Sequence, residues 1–287
     1  MKIFIHIGFG KTGTTSIQDM FLHNSETFSS IGLYYPKIGL YKSAHHLLSQ
    51  LPKTKDYTSL IRSNLKNIKT NFLKNKYIKL IISSENLCFS TPELIDAYKE
   101  VFNGFDTKII MYIRRQEDLI PSVYLEWMKN NWDYKKNICS FFYHTKQAYD
   151  FLLRINNWEK AFGRDNIIIR LYNKHLESDI CKDFLKIIGI GKIATNLPKF
   201  NSNPSLSPAF ANIIKIIDDI KINNDNRILL INELIKTGNY MPNIPTNSLI
   251  NENLKKEIYK FYTKSNSELA NRYLNEKIKS LFLQSEC

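Results

Sequence analysis

Residues with chemistry in them gather at four places along the chain. The segment Gly8-Phe9-Gly10-Lys11-Thr12-Gly13-Thr14-Thr15-Ser16 combines glycines, a lysine and hydroxyl side chains. Glycines let a backbone turn sharply, and successive N–H groups at a helix start form a concave anion site helped by the helix dipole. Lys11 adds a mobile positive charge, and Thr12, Thr14, Thr15 and Ser16 add hydroxyl donors. A phosphate is the ligand that this chemistry predicts. Farther on stand Arg114 with Ser122, then Glu85 directly after an apolar run, and the adjacent pair His45-His46. The carboxylate and the imidazoles are the residue types that accept a proton near neutral pH.

The elements that must position these residues follow from the pattern. Short β-branched runs at residues 2–7, 79–83, 107–113 and 166–171, with an extended piece at 33–35, read as strands. Longer amphipathic stretches at 13–28, 43–51, 57–75, 92–102, 117–130, 141–162 and 177–188 read as helices. The alternation predicts an α/β fold, three-layered, with a central parallel sheet flanked by helices. The stretch LPKFNSNPSLSP, with three prolines, interrupts the pattern. Beyond it, residues 213–222, 227–236 and 249–283 read as helices, so a core over 1–196 and a helical C-terminal subdomain over 197–287 are expected.

The chain has 287 residues, 43% of them apolar and 23% charged, a balance that excludes a disordered or fibrous chain. No apolar run approaches the roughly 20 residues of a transmembrane helix. The opening run MKIFIHIG passes into glycines and a lysine rather than into a cleavage site, so a buried strand is expected there, and not a signal peptide. Four scattered cysteines with no C-x-x-C pair argue against a zinc ribbon or a disulfide framework, and the cytoplasm is the expected compartment. The formal charge of +13 favours anionic partners without choosing among them, and most of the lysines read as a solvated basic surface.

The loop at residues 8–16 is not a nucleoside triphosphatase loop. Counting five residues back from Gly10 reaches Ile5 rather than a glycine, and the later strands run into Ser83-Ser84-Glu85 and Arg114-Arg115, with no aspartate for Mg²⁺. Instead, Lys11-Thr12-Gly13-Thr14-Thr15 resembles the 5′-phosphosulfate-binding loop of the sulfotransferases, K-[ST]-G-T-T. A second match lies in TKIIMYIRRQEDLIPSVY. There Arg114, Asp118 and Ser122 follow the family's R-x-x-x-D-x-x-x-S pattern, whose arginine and serine bind the 3′-phosphate of the donor. The later segment NIIIRLYNK with the helix after it also looks like bacterial members that act on carbohydrates. Ser16 replaces the tryptophan that small-molecule and steroid members carry after T-T, and their C-terminal glycine-rich motif is absent.

The resemblance implies a donor, 3′-phosphoadenosine 5′-phosphosulfate, with 3′,5′-adenosine bisphosphate as product and no metal. It implies binding by Gly10, Lys11, Thr12, Gly13, Thr14, Thr15, Ser16, Arg114 and Ser122, with Lys11 also catalytic. The family's base is a histidine in some branches and a glutamate in others, which leaves Glu85, His45 and His46 in competition. The NSNPSLSP loop, with Asn201, Asn203 and Ser205, is a candidate for closing over the donor. Arg115 and Arg170 could hold donor or acceptor, and Trp127, Trp132 and Tyr134 could stack on a sugar. His6 reads as a core histidine, and His23, His144 and His175 have no supporting residues. The implied acceptor is a carbohydrate, such as a bacterial capsular or lipopolysaccharide sugar, with an acidic glycan or glycolipid among the options. Nucleic acid is not an expected partner, and peripheral membrane contact is left open. A P-loop-like nucleotide kinase and a non-catalytic anion- or nucleic-acid-binding module are the competing readings.

Overall fold

A computed structural model of the chain describes residues 1–49, 57–130, 137–172, 179–192, 206–220, 222–242 and 244–284. It contains a five-stranded sheet of β1 (Lys2–His6), β2 (Leu33–Tyr34), β3 (Lys79–Ser83), β4 (Asp106–Ile113) and β5 (Ile167–Leu171). The strand order is β2-β3-β1-β4-β5, and every pairing is parallel. The chain leaves β1 toward β2 on one side and later fills β4 and β5 on the other. The crevice beyond the C-terminal end of β1 is therefore the topological reversal at which such sheets bind ligands.

The chain divides into two compact units. The first comprises Met1–Ile113, Phe151–Ser202 and Ser267–Phe282, and the second Arg114–Asp150, Asn203–Asn266 and Leu283–Cys287. The sheet belongs to the first. Its register sets Phe4 beside Ile81, and His6 beside Ser83 and Ile110. Phe4, Ile81, Ile110 and Tyr112 join a buried cluster with Ile17, Met20 and Phe21 of α1 (Thr14–His23) and with Phe184 and Leu185 of α8 (Ile180–Ile187). At about 1.5–3 kcal/mol for each fully buried large apolar side chain, packing rather than strand propensity holds α1 against the sheet. Alternate residues Ile5, Ile82, Ile109 and Met111 are also buried. The helices α3 (Tyr57–Lys74), α4 (Pro92–Val101) and α7 (Phe151–Phe162) form a packed series that reaches β4. This is the expected α/β fold, a central parallel sheet flanked by helices.

The second unit is helical, built from α5 (Gln116–Asn130), α6 (Ile138–Thr145), α9 (Ala211–Ile220), α10 (Asn224–Gly238) and most of α11 (Glu252–Tyr273). Gln116 and Asn266 exchange amide hydrogen bonds of 3.0 and 2.8 Å. Arg227, 2% exposed, donates to Asp218 and to the carbonyls of Met128 and Lys129, so that it closes the last turn of α5. No helix among the described residues is long and apolar enough to cross a membrane.

Several helices break where the sequence pattern runs on. The stretch expected as one helix over 13–28 ends at Asn24, whose side-chain amide donates to the Met20 carbonyl at 2.8 Å, and resumes as α2 (Ser25–Ser30). Among the described residues of 43–51 the helix is a single 3₁₀ turn, His46–Leu48, and His45 N–H is committed to the Ser83 carbonyl at 2.8 Å. The stretch 141–162 splits into α6, a 3₁₀ turn Lys146–Tyr149 and α7, and Thr145 Oγ1 returns a hydrogen bond to the Phe141 carbonyl at the break. Within 249–283, the side chain of Asn275 accepts from Ile278 N–H and starts α12 (Glu276–Leu283) after α11.

Candidate active site

The loop after β1 holds its shape through three left-handed residues, Gly8 (φ +34°), Lys11 (φ +65°) and Gly13 (φ +79°). Thr12, wholly buried, closes it by donating Oγ1–H to the Phe9 carbonyl at 2.6 Å. A Cβ on Gly8 would stand 2.7 Å from Thr14 Cγ2, and one on Gly13 would stand 2.8 Å from Ile180 Cδ1, so both positions require glycine. Around Gly10 nothing lies within 4 Å of such an atom. Gly13 caps α1, and no side chain bonds the cap and no acidic residue lies in the first turn. A helix N-terminus with no side-chain cap and no acid in its first turn among the described residues, beside Lys11, matches the charge and donor set of a phosphate.

Beside this loop lies the end of β3. A Cβ on Gly8 would be 3.5 Å from Glu85 Cα, so loop and carboxylate-bearing turn are in contact. Glu85 opens a 3₁₀ turn, Glu85–Phe89, capped by Ser84, whose hydroxyl accepts from Asn86 N–H. Its Oε2 accepts from Gln18 Nε2 at 2.9 Å, and its Oε1 lies 3.7 Å from His46 Nε2. On the other side of that imidazole, Nδ1 meets Ser84 Oγ at 2.9 Å and Asn86 Nδ2 at 3.2 Å. An amide N–H can only donate, so Nδ1 carries the lone pair and Nε2 the proton that faces Glu85. In this arrangement His46 Nε2 faces the Glu85 carboxylate, and the two candidate proton acceptors stand side by side. Both side chains are about one-quarter exposed or less, at 20% for His46 and 26% for Glu85, open enough to meet a substrate.

His45 does not join them. It is wholly buried, its Nδ1 accepts from Ser83 N–H at 3.2 Å, and its Nε2 donates to the Pro36 carbonyl at 2.8 Å. Burial lowers its pKa from 6.5 to about 4. His6 is likewise a core residue: Nδ1 is hydrogen-bonded to Ser83 Oγ at 2.8 Å, and burial lowers its pKa from 6.5 to about 3.

Gln18, which the sequence reading did not single out, joins this cluster. It is 2% exposed and spans Glu85 and Ser83 Oγ, the latter at 3.3 Å. Its signal is a polar residue on an apolar helix face, in the series Thr14, Ile17, Gln18, Phe21.

The remaining predicted residues divide between the units. Arg114 directly follows Ile113, the last residue of β4, and Ser122 lies buried in the second turn of α5, after Pro121, whose ring removes the N–H that would reach the Glu117 carbonyl. Both belong to the second unit, as does Asp118, which accepts from Asn247 at 3.3 Å. Arg115 pairs with Glu117, and Arg170 pairs with buried Asp183, which also accepts from Tyr112 Oη at 2.7 Å. Trp127 packs edge-on against Phe141. His23 ends α1, and His144 Nδ1 is bonded within α6 to the Ser140 carbonyl. Trp132, Tyr134, His175, Asn201, Asn203 and Ser205 lie outside the described residues. Among the described residues no group of three or more His, Cys, Asp or Glu is placed to hold a metal ion.

No family model matches the chain. An uncharacterized protein of Archaeoglobus fulgidus is 26% identical over 160 residues, a match that covers 55% of this chain and 43% of that protein, so less than half of the relative's length is matched. The crystal structure of a sulfotransferase from Alicyclobacillus acidocaldarius is similar with a TM-score of 0.51 at 13% identity, over 93% of this chain and 94% of that one. The likeness is one of architecture, and by it the chain has a sulfotransferase fold.

Proposed function

We propose that the protein is a sulfotransferase that moves a sulfonate from 3′-phosphoadenosine 5′-phosphosulfate to a hydroxyl of a carbohydrate acceptor, in line and without a metal, in the bacterial cytoplasm. The donor supplies an activated phosphosulfate bond. The observation that carries the reading is the loop Gly8–Ser16, closed on itself at an uncapped helix N-terminus and in contact with Glu85.

Each residue then has a role that its chemistry allows. The backbone N–H groups at Gly13–Ser16 and the hydroxyls of Thr14, Thr15 and Ser16 hold the 5′-phosphate, while Thr12, its hydroxyl donated to Phe9, shapes the loop around it. Lys11 stabilises the charge that develops on the leaving phosphate oxygen, the interaction that lowers the barrier most in such sites. Arg114 and Ser122 hold the 3′-phosphate. Glu85 takes the proton of the acceptor hydroxyl, oriented by Gln18 on one oxygen and by His46 on the other. An acceptor oxygen at Glu85 and a phosphosulfate on the adjoining loop would meet without a large displacement, which is the positioning that in-line transfer needs.

A thermal-shift titration tests the reading. Stabilisation by 3′,5′-adenosine bisphosphate with EDTA present, and weaker or no stabilisation by ADP, is the expected result. Stabilisation by ATP with Mg²⁺ alone would overturn it in favour of a triphosphate site.

A further inference from the structure

Two exposed aromatic rings, each with a cation against it, flank the Glu85–His46 pair. Tyr41, 58% exposed, has its ring centroid 6.4 Å from that of His46, and Lys42 Nζ lies 6.0 Å from the Tyr41 centroid. Phe89, 41% exposed, ends the 3₁₀ turn that Glu85 begins, and the Arg154 guanidinium carbon lies 5.1 Å from its centroid. At about 2 Å of rise per residue, this turn separates Glu85 from Phe89 by about 8 Å.

Both arms are held in place. Tyr41 and Ala44 close a hairpin tip with reciprocal backbone bonds of 2.8 and 3.3 Å, and Lys42 at the tip stands at φ +55°. That region is unfavourable for lysine, and the Tyr41–Ala44 bonds on either side of the tip hold it there. On the other arm, Cys88 Sγ–H donates to the Glu85 carbonyl at 3.0 Å, and Phe9 of the phosphate loop meets the Phe89 ring edge-on at 5.8 Å. A large ring left open to water beside a candidate base, at a fixed distance from it, is suited to the apolar face of a pyranose ring. An ammonium or guanidinium against that ring supplies the counter-charge for an acidic substituent.

We propose that Tyr41 with Lys42, and Phe89 with Arg154, are the two arms of an acceptor subsite for an acidic glycan, a sugar chain bearing carboxylate or sulfate groups, whose reacting hydroxyl is presented to Glu85. This rests on the reading of Glu85 as proton acceptor in a sulfotransferase with a carbohydrate acceptor, and it adds the residues that select an acidic one.

Isothermal titration calorimetry on the full chain saturated with 3′,5′-adenosine bisphosphate tests the subsite. The probes are a tetrasaccharide of alternating glucuronic acid and N-acetylglucosamine, its carboxyl-reduced neutral counterpart, and an oligothymidylate. The acidic tetrasaccharide should bind about tenfold more tightly than the neutral one at low salt, and more tightly than the oligothymidylate. Lys42→Gln and Arg154→Gln should each shrink the preference for charge, whereas Tyr41→Ala and Phe89→Ala should weaken both sugars alike. Bisphosphate affinity should be unchanged in all four variants. Equal binding of the two sugars, no glycan binding, variants without effect, or preferred binding of the oligothymidylate would each overturn the subsite while the donor reading stands. Failure of the unaltered chain to bind the bisphosphate would overturn both.

Discussion

Gln18 Nε2, on the buried face of α1, donates to Glu85 Oε2 at 2.9 Å and so ties the helix that follows the Gly8–Gly13 turn to the carboxylate just beyond β3. The bond leaves the other oxygen, Oε1, toward His46. Gln18→Leu should therefore lower kcat about 10- to 100-fold through misplacement of the carboxylate, with bisphosphate affinity retained. Steady-state kinetics alongside calorimetry check it, and unchanged kcat would remove Gln18 from the site.

Lys11→Ala should lower kcat by about 10²–10³-fold, the usual cost of losing one group that stabilises developing charge. Lys11→Arg should recover only part of the activity, because a planar guanidinium does not replace a compact ammonium at the left-handed position φ +65°. Single-turnover rates separate this from a binding defect.

Arg114→Ala should weaken 3′,5′-adenosine bisphosphate about tenfold or more while affinity for adenosine 5′-phosphosulfate hardly changes. Competition titrations with the two nucleotides decide the matter. An equal loss for both would place Arg114 elsewhere than on the 3′-phosphate.

Stability should fall as the pH drops below neutrality. His6 and His45 stay neutral in the folded chain down to about pH 3 and about pH 4, whereas their ordinary pKa is 6.5. Below pH 6.5 the unfolded chain binds more protons than the folded one, so each imidazole removes about 1.4 kcal/mol per pH unit until its folded pKa is reached. Urea denaturation at a series of pH values between 7 and 5 measures the slope. His45→Asn should make it shallower, and a flat profile in the unaltered chain would contradict the burial of both rings.

Arg227→Ala should destabilise the second unit by about 3–5 kcal/mol, because it strands the buried Asp218 carboxylate and opens the last turn of α5. Denaturation of the Arg227→Ala, Asp218→Ala double variant should recover part of the loss. A cost no larger than that of a surface substitution would show the pair to be solvated.

The sheet was legible because parallel strands buried on both faces appear as continuous β-branched runs, such as KLIIS in β3 and IIMYI in β4. The tight turn between β1 and α1 was legible because its glycines stand at a strand-to-helix junction, where Gly8 and Gly13 take left-handed backbone. The helix breaks at Asn24, Thr145 and Asn275 were not, since each depends on one side chain turning back on the backbone, with no proline or glycine to mark it. The adjacent histidines could not be told apart from their letters. Only the fold shows that His45 bonds Ser83 and Pro36 inside the core while His46 turns to Glu85. Gln18 was hidden because its partners are 65 and 67 residues away in sequence.

The central place of β1 also bears on how the chain is made. Its two neighbours are Lys79–Ser83 and Asp106–Ile113, so neither ladder of β1 exists until those segments have been synthesised. At about 5–20 residues per second, the roughly hundred residues that separate β1 from the end of β4 take on the order of 5–20 s to emerge. Until Lys79–Ser83 has emerged, about 4–15 s at the same rate, the nascent KIFIH segment has no strand to pair with, and its second ladder waits for Asp106–Ile113. Long-range pairing late in synthesis, rather than early local folding, is therefore how this sheet closes.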